Sequence, residues 1–375
     1  MRIEKIEIRP FTIPYRRGGV TTSLGADMAM KNVLVTVHSD KGAVGWGETA
    51  PLPTYGGESQ ESVVEVLKNY LAPSLINRDP RQINACVEAM DRTVSGQSFA
   101  KSALDFALHD LLAQELGVPL YQLFGGKCRN SYPLAWTLGW KPVEETAEEA
   151  VRAVSDGYKA LKLKIGNPDW RLDVERVRRV REAVGDDFPI RVDANQGYSV
   201  REAIRVIHSM EQFNLQLVEQ PVASWDLTGM SHVRRHISFP VLADESACSA
   251  HDIVHIIRNQ AADIVNIKPQ KIGGFVKTRQ FACTATAANL ELFPSSRMCS
   301  SIGVAAMSHF YAALASTNLE GEFVDGILMA EDDLVVDPVQ VSDGFVVIPD
   351  TNGAGVQVSE AKLRRYAQEV ITVNH

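Results

Sequence analysis

The segment Ala160-Leu161-Lys162-Leu163-Lys164-Ile165-Gly166 alternates charged with apolar side chains, and the architecture follows from where such a segment must sit. Along an extended chain successive side chains point to opposite faces, so Lys162 and Lys164 share one face and Leu161, Leu163 and Ile165 the other. The apolar face packs on helices. The two ammonium groups are then directed inward, where lysines among apolar neighbours are functional candidates rather than solvated surface groups.

The same texture repeats on both sides at a step of roughly 25 residues, the length of one strand-helix unit. Candidate strands are Pro133 to Leu138, Leu161 to Ile165, Ile190 to Asp193, Leu217 to Glu219, Val241 to Asp244, Ile264 to Lys268, Leu290 to Phe293, and one near Glu322 to Leu328. Eight units predict an α/β fold, a (β/α)8-type barrel over residues 126–340. A doubly wound open sheet competes, but the Gly-rich phosphate loop it often carries after its first strand is absent. Before the barrel, strands at Ile3 to Ile8, Asn32 to His38 and Ala43 to Glu48 and helices at Ser59 to Leu75 and Ala100 to Leu116 predict an α+β capping unit over 1–125. The tail, 341–375, has turn chemistry at Asp343-Gly344, Gly353 and Gly355 and is expected to return to that unit.

At 375 residues the chain has room for a barrel and a second domain. A net charge of −8 offers no basic surplus for nucleic acid or anionic lipid. The charged start, Met1-Arg2-Ile3-Glu4-Lys5, is unlike a signal peptide, and no run of 18 apolar residues suggests a membrane span, so a cytoplasmic protein is expected. Its five cysteines are scattered, with no Cys-x-x-Cys pair, and read as reduced thiols.

Chemistry in a barrel sits where strands end at their C-terminal face. Asp193, Glu219 and Asp244 end the third, fourth and fifth strands, one barrel unit apart. Three carboxylates without His or Cys nearby repel one another unless neutralised, and oxygen-only ligation suits Mg²⁺, with Mn²⁺ as a substitute. Helix caps are the competing reading for these acids. Lys162 and Lys164 on strand two are expected to depress each other's pKa. Lys268 ends strand six, opposite strand two in a ring of eight, so Lys164 and Lys268 would face each other across the mouth.

Lys162-x-Lys164, Asp193-Ala194-Asn195, Val218-Glu219-Gln220-Pro221, Asp244-Glu245-Ser246 and Lys268-Pro269-x-x-x-Gly273-Gly274, with Gly45-Trp46-Gly47-Glu48 in the N-terminal unit, resemble the enolase superfamily, specifically the muconate-lactonizing subgroup of the mandelate racemase/muconate lactonizing enzyme family. The resemblance spans nearly the whole chain. It implies Mg²⁺ held by Asp193, Glu219 and Asp244, and catalytic acid and base roles for Lys164 and Lys268. Lys162 is implied as the electrostatic partner of Lys164, with Asn195 and Glu245 behind the ligands, Glu245 near the other lysine. Where relatives that lactonise or epimerise dipeptides commonly carry Met-x-Glu-Ser after strand seven, this chain has Met298-Cys299-Ser300-Ser301, and Ser300 is expected to remove a charge at the rim.

These residues predict abstraction of the α-proton of a small-molecule carboxylate to give an enediolate, stabilised by the divalent cation. Lysines on both faces of the α-carbon predict racemisation or epimerisation; a β-hydroxyl, as in a hydroxyproline or sugar acid, would lead to dehydration, and muconate to cycloisomerisation. Loops at Tyr15 to Met30 and Pro51 to Gly57 are expected to close over the mouth. Tyr55, Trp136, Ser296, Cys299 and Asp325 are the expected substrate contacts, with Trp140 and Glu322 nearby. An aromatic face opposite a carboxylate suits an amino-acid or betaine-type acid, such as a proline betaine. Cys299 reads as a small filler rather than a nucleophile, and His109 as a packed helix residue. A Schiff-base lysine aldolase remains an alternative that leaves the three acids unused, as does a non-catalytic binder on an inherited barrel. A homo-oligomer is expected.

Overall fold

The computed structural model describes residues 1–16, 19–22 and 25–374. Of the expected Tyr15 to Met30 loop, residues 17, 18, 23 and 24 lie outside the described residues.

Seven parallel strands stand side by side in chain order: Ala135–Leu138, Ala160–Lys164, Ile190–Asp193, Val218–Glu219, Val241–Ala243, Ile264–Ile267 and Glu291–Pro294. Helices connect them because the intervening segments carry apolar residues on one helical face; Val143–Ser155 buries Ala147, Ala150 and Ala153. Fully buried Leu161, Leu163, Val192, Val218 and Val241 form the layer between sheet and helices, each worth about 1.5–3 kcal/mol of burial.

The eighth strand is shorter than expected. Gly321 bridges Leu134 beside the first strand and Glu322 bridges Ser295 beyond the seventh, so two residues close the ring. Ala135 N–H donates to Gly321 O (3.0 Å) and Glu322 N–H to Pro294 O (3.0 Å). Instead of continuing to Leu328, the chain turns into a short helix, Asp325–Met329. That helix packs closely on the loop after strand seven: a Cβ on Gly326 would lie 2.1 Å from Cys299 O.

The N-terminal unit is an antiparallel sheet in the order Ile371–Val373, Ile3–Pro14, Ala29–Ser39, Val44–Thr49; Ile371–Val373 of the tail pairs with its first strand, whereas Val341–Ser342 and Phe345–Val347 form a sheet with Ser131–Pro133 at the barrel. The helix Ser98–Leu116 lies directly on it. Gly45 and Gly47 permit that approach, since a Cβ at either would come within 2.1 Å of a helix carbonyl. Among the described residues no helix is long and apolar enough to cross a membrane.

Two buried carboxylates fasten this unit to the barrel. Glu48 accepts from Ser300 N–H (3.0 Å), Ser300 Oγ (2.5 Å) and Gly303 N–H (3.0 Å), while Asp105 accepts from Phe275 N–H (2.5 Å). Ser300 is therefore buried under the cap, and its substitution for an acid does not alter charge at an open rim as the sequence suggested.

Candidate active site

Parallel neighbours in register point to the same face of the sheet. Lys164 is opposite Asp193, and Asp193 opposite Glu219, which sets these three groups side by side inside the barrel. The acids are not helix caps: the helices that follow strands two to five are capped by Asp169, Ser199, Asp226 and Ser249.

A cavity of about 210 Å³ opens at this face, lined by Lys162 and Lys164 from strand two and by Asn195, Asp244 and Lys268 just past the ends of strands three, five and six. Thr137, Ser296, Arg297, Glu322 and Asp325 are among the other residues of the barrel side; Tyr55 and Asp27 are among those from the N-terminal unit. Lysines meet carboxylates throughout. Lys164 Nζ donates to Asp193 (2.5 Å) and Asn195 Oδ1 (3.0 Å), Lys162 lies 3.2 Å from Glu219 and also pairs with Glu322, and Lys268 donates to Asp244 (2.6 Å). Tyr55 O–H donates to the other oxygen of Asp244 (2.6 Å), and Lys268 reaches the Tyr55 oxygen (3.2 Å).

Burial and crowding set the electrostatics. Glu219 is pushed up to about 7 by burial and by Asp193 and Asp244, against the pull of Lys162. Glu245 is pushed up to about 8 by burial, Asp244 and Asp193; one of its oxygens accepts from Asn195 Nδ2 (3.1 Å) and the other has no hydrogen-bond partner among the described residues. Asp244, despite its burial, is held far below the usual range by Lys268 and Lys271. Burial, aided by the like charges of Lys271 and Lys162, pushes Lys268 below the ordinary lysine value. Lys162 goes the other way from the sequence expectation: burial opposes its charge, but Glu219, Glu322 and Asp193 outweigh it and raise the ammonium well above the ordinary value.

The donor set fits a hard divalent cation. It consists of buried oxygens only, and their mutual repulsion is the imbalance that a dication relieves. Among the described residues no three acidic, His or Cys side chains converge closely enough to chelate an ion as they stand, because ammonium groups occupy the carboxylate oxygens.

Two expected contacts lie elsewhere. Trp136 is in register with outward-facing Leu161, so its ring packs 5.0 Å from Tyr158 and its Nε1 donates to Glu149 (3.0 Å); the inward neighbour is Thr137, opposite Lys162. Cys299 is fully buried against the Gln270 amide, behind the cavity wall, with its thiol raised well above the usual value by burial and Glu48. His109 packs edge-on against Phe275 (5.3 Å). Trp140 donates its backbone N–H to Thr21 O (3.1 Å).

Four groups escaped the sequence reading. Lys271 donates to Asp244 (2.7 Å), Asn266 to Glu219 (2.9 Å), and the Gln220 carbonyl oxygen accepts from Asp244 N–H (3.0 Å). Arg297 enters from the loop after strand seven. Asn266 was visible as the inward residue two before Lys268; the others follow strand ends, where alternation no longer predicts direction.

Comparison with known proteins places this geometry. The N-terminal domain model of mandelate racemase/muconate lactonizing enzyme matches residues 5–125, and the enolase C-terminal domain-like model matches 145–362. An L-Ala-D/L-Glu epimerase of Clostridium acetobutylicum is 33% identical over 363 residues, covering 95% of this chain and 99% of the relative. Muconate cycloisomerase 1 of Rhodococcus opacus is 33% identical over 342 residues, 90% of this chain and 91% of that one. The crystal structure of a dipeptide epimerase from Cytophaga hutchinsonii, complexed with Mg and the dipeptide D-Ala-L-Val, superposes with a TM-score of 0.94 at 31% identity over 100% of both chains.

Proposed function

The chain is an enzyme of the mandelate racemase/muconate lactonizing enzyme family of the enolase superfamily, and from that premise we propose that it catalyses a 1,1-proton transfer, racemising or epimerising an amino-acid-type carboxylate. The observation that carries the reading is that Lys164, at the end of strand two, and Lys268, just past the end of strand six, line one cavity together with Asp244.

Lys268, with its proton affinity lowered by burial, Lys271 and Lys162, takes the α-proton on one face. Lys164 delivers a proton to the other. Each lysine must first release its carboxylate, Asp244 or Asp193, and Lys268 must in addition have given its own proton to solvent before it can accept the α-proton. Lys162, held as an ammonium by Glu219, Glu322 and Asp193, supplies fixed positive charge beside the carboxylate where negative charge develops. Asp193, Glu219 and Asp244 would hold Mg²⁺, for which Mn²⁺ could substitute; when bound, the ion lowers the energy of the deprotonated substrate by neutralising its carboxylate. Asn266 and Lys271 hold Glu219 and Asp244 in place, and Glu245 keeps Asn195 beside Lys164. Tyr55, Ser296 and Asp325 are the remaining candidate contacts on the cavity wall.

With Trp136 turned outward, the aromatic argument for a betaine is lost. Acidic Asp325, which accepts from Thr137 Oγ1 (3.0 Å) and faces the cavity, now supports the amino-acid reading. The five free cysteines fit a reducing compartment, and we place the enzyme in the cytoplasm. The test is α-proton exchange in D₂O over a library of carboxylates, followed by NMR: exchange that EDTA abolishes and Mg²⁺ restores supports the proposal. Exchange insensitive to EDTA, or an adduct trapped by borohydride, contradicts it.

A further inference from the structure

The cavity wall carries four cationic side chains among the described residues: Lys162, Lys164, Lys268 and Arg297. The lysines are engaged by strand-end carboxylates. Arg297 is engaged instead from the N-terminal unit, by Asp27, through a single contact from Nη2 (3.1 Å). Its Nε is buried and has no hydrogen-bond partner among the described residues. A guanidinium offers five N–H donors in a fork that matches a carboxylate, so most of this one's capacity is unspent.

Its mounting is rigid. Arg297 N–H donates to the buried Gln270 side chain (3.0 Å), and the preceding Ser296 N–H donates to Glu322 O (3.0 Å), which ties the loop to the eighth strand. The guanidinium carbon stands 5.9 Å from the centre of the Tyr55 ring, whose hydroxyl touches Asp244 and Lys268. Arg297 also lines a second cavity of about 350 Å³, which shares Asp27, Leu52 and Met298 with the first. It therefore stands where the reaction chamber continues into further space.

We propose that Arg297 is a specificity-determining residue that recognises a second carboxylate on the substrate, remote from the reacting carbon. Asp27 occupies the guanidinium in the ligand-free chain much as that carboxylate would. A half-buried, under-bonded guanidinium penalises a substrate that leaves it unsatisfied, which is how a polar site rejects the analogue lacking a charge. The inference rests on the α-proton-transfer reading above and narrows its substrate class to acids with a distal carboxylate.

The test uses three pairs that differ only as carboxylate against carboxamide: L-glutamate and L-glutamine, L-alanyl-L-glutamate and L-alanyl-L-glutamine, and N-succinyl-L-alanine and N-succinamoyl-L-alanine. α-Proton exchange is measured with Mg²⁺ for the full-length enzyme, Arg297→Gln and Asp27→Asn. In at least one pair the carboxylate is expected to exceed its amide by about 10- to 100-fold in kcat/KM, a preference that Arg297→Gln removes by slowing the carboxylate alone. Asp27→Asn, which frees the guanidinium from an internal competitor, is expected to keep or raise the preference. If Arg297 merely latched the cap to the barrel, both variants would slow acids and amides alike, and the proposal would fall. Equal rates within every pair overturn it too. Exchange with other carboxylates but with none of these six overturns the specificity while leaving the proton-transfer reading standing; exchange with no carboxylate at all removes both.

Discussion

Replacing Glu219 with Gln is expected to make the metal-free protein more stable above neutral pH while weakening its hold on Mg²⁺. Glu219 is fully buried and its pKa is raised from 4.5 to about 7 by burial, Asp193 and Asp244. The folded chain therefore binds this proton more tightly than the unfolded chain. Stability tied to the group is complete below about pH 4.5 and is lost as the pH rises through about 7. At 1.36 kcal/mol for each tenfold change in acidity, the ionised carboxylate costs the folded state about 3 kcal/mol at pH 8. The amide avoids that cost and its oxygen still accepts from Asn266, but Lys162 loses one of its three carboxylates, so the net gain is about 1–2 kcal/mol. Thermal unfolding in EDTA from pH 4.5 to 9 should show the variant gaining on the wild type only as the pH rises. In Mg²⁺ at about 100 times the wild-type dissociation constant that advantage should shrink by about 1.3 kcal/mol or more, because binding adds about 2.7 kcal/mol to the wild type and about 1.4 kcal/mol to a variant weakened tenfold. A variant less stable than wild type by the same amount at every pH, in EDTA, refutes the reasoning.

Asp193→Asn and Asp244→Asn, like Glu219→Gln, should weaken Mg²⁺ by about tenfold or more in titration calorimetry while leaving the far-UV CD spectrum unchanged, since each removes one of the proposed anionic ligands from a folded barrel. Gly274→Ala should cost about 2 kcal/mol or more in thermal unfolding: its φ is +105° and the new Cβ would lie 2.4 Å from the Asp105 side chain that joins cap to barrel. With a thiol reagent on the native enzyme, exposed Cys128 and Cys283 should be modified while buried Cys299 stays intact to peptide mapping. Trp136→Phe should leave kcat/KM within about threefold, because the indole faces Tyr158 and not the substrate.

How much of this was legible in the sequence depends on the range of the forces involved. Strands two to six were visible because period-two alternation between inward charge and outward apolar residues is local, and Lys162 with Lys164 shows it most plainly. The eighth strand was placed at Glu322, but its short length was not legible, since where it gives way to the helix Asp325–Met329 the chain packs Gly326 against the Cys299 backbone, a contact between different loops. The inward face was legible within strand two but not transferable to strand one: only the pairing of Trp136 with Leu161 and Thr137 with Lys162 decides which neighbour faces the cavity. The raised pKa of Lys162 was inaccessible for the same reason. Two lysines two apart suggest mutual repulsion, whereas Glu219 and Glu322, which reverse it, arrive from distant strands.

The central claim is that Lys164 and Lys268 work on opposite faces of one carbon, and α-proton exchange in D₂O by Lys164→Ala and Lys268→Ala, measured on both enantiomers of a turned-over substrate, tests it most directly. Each variant should lose net inversion, yet each should retain exchange of a single enantiomer, and the two variants should retain opposite ones. Exchange of both enantiomers at the wild-type rate by both variants would contradict the account, since neither lysine would then be the base.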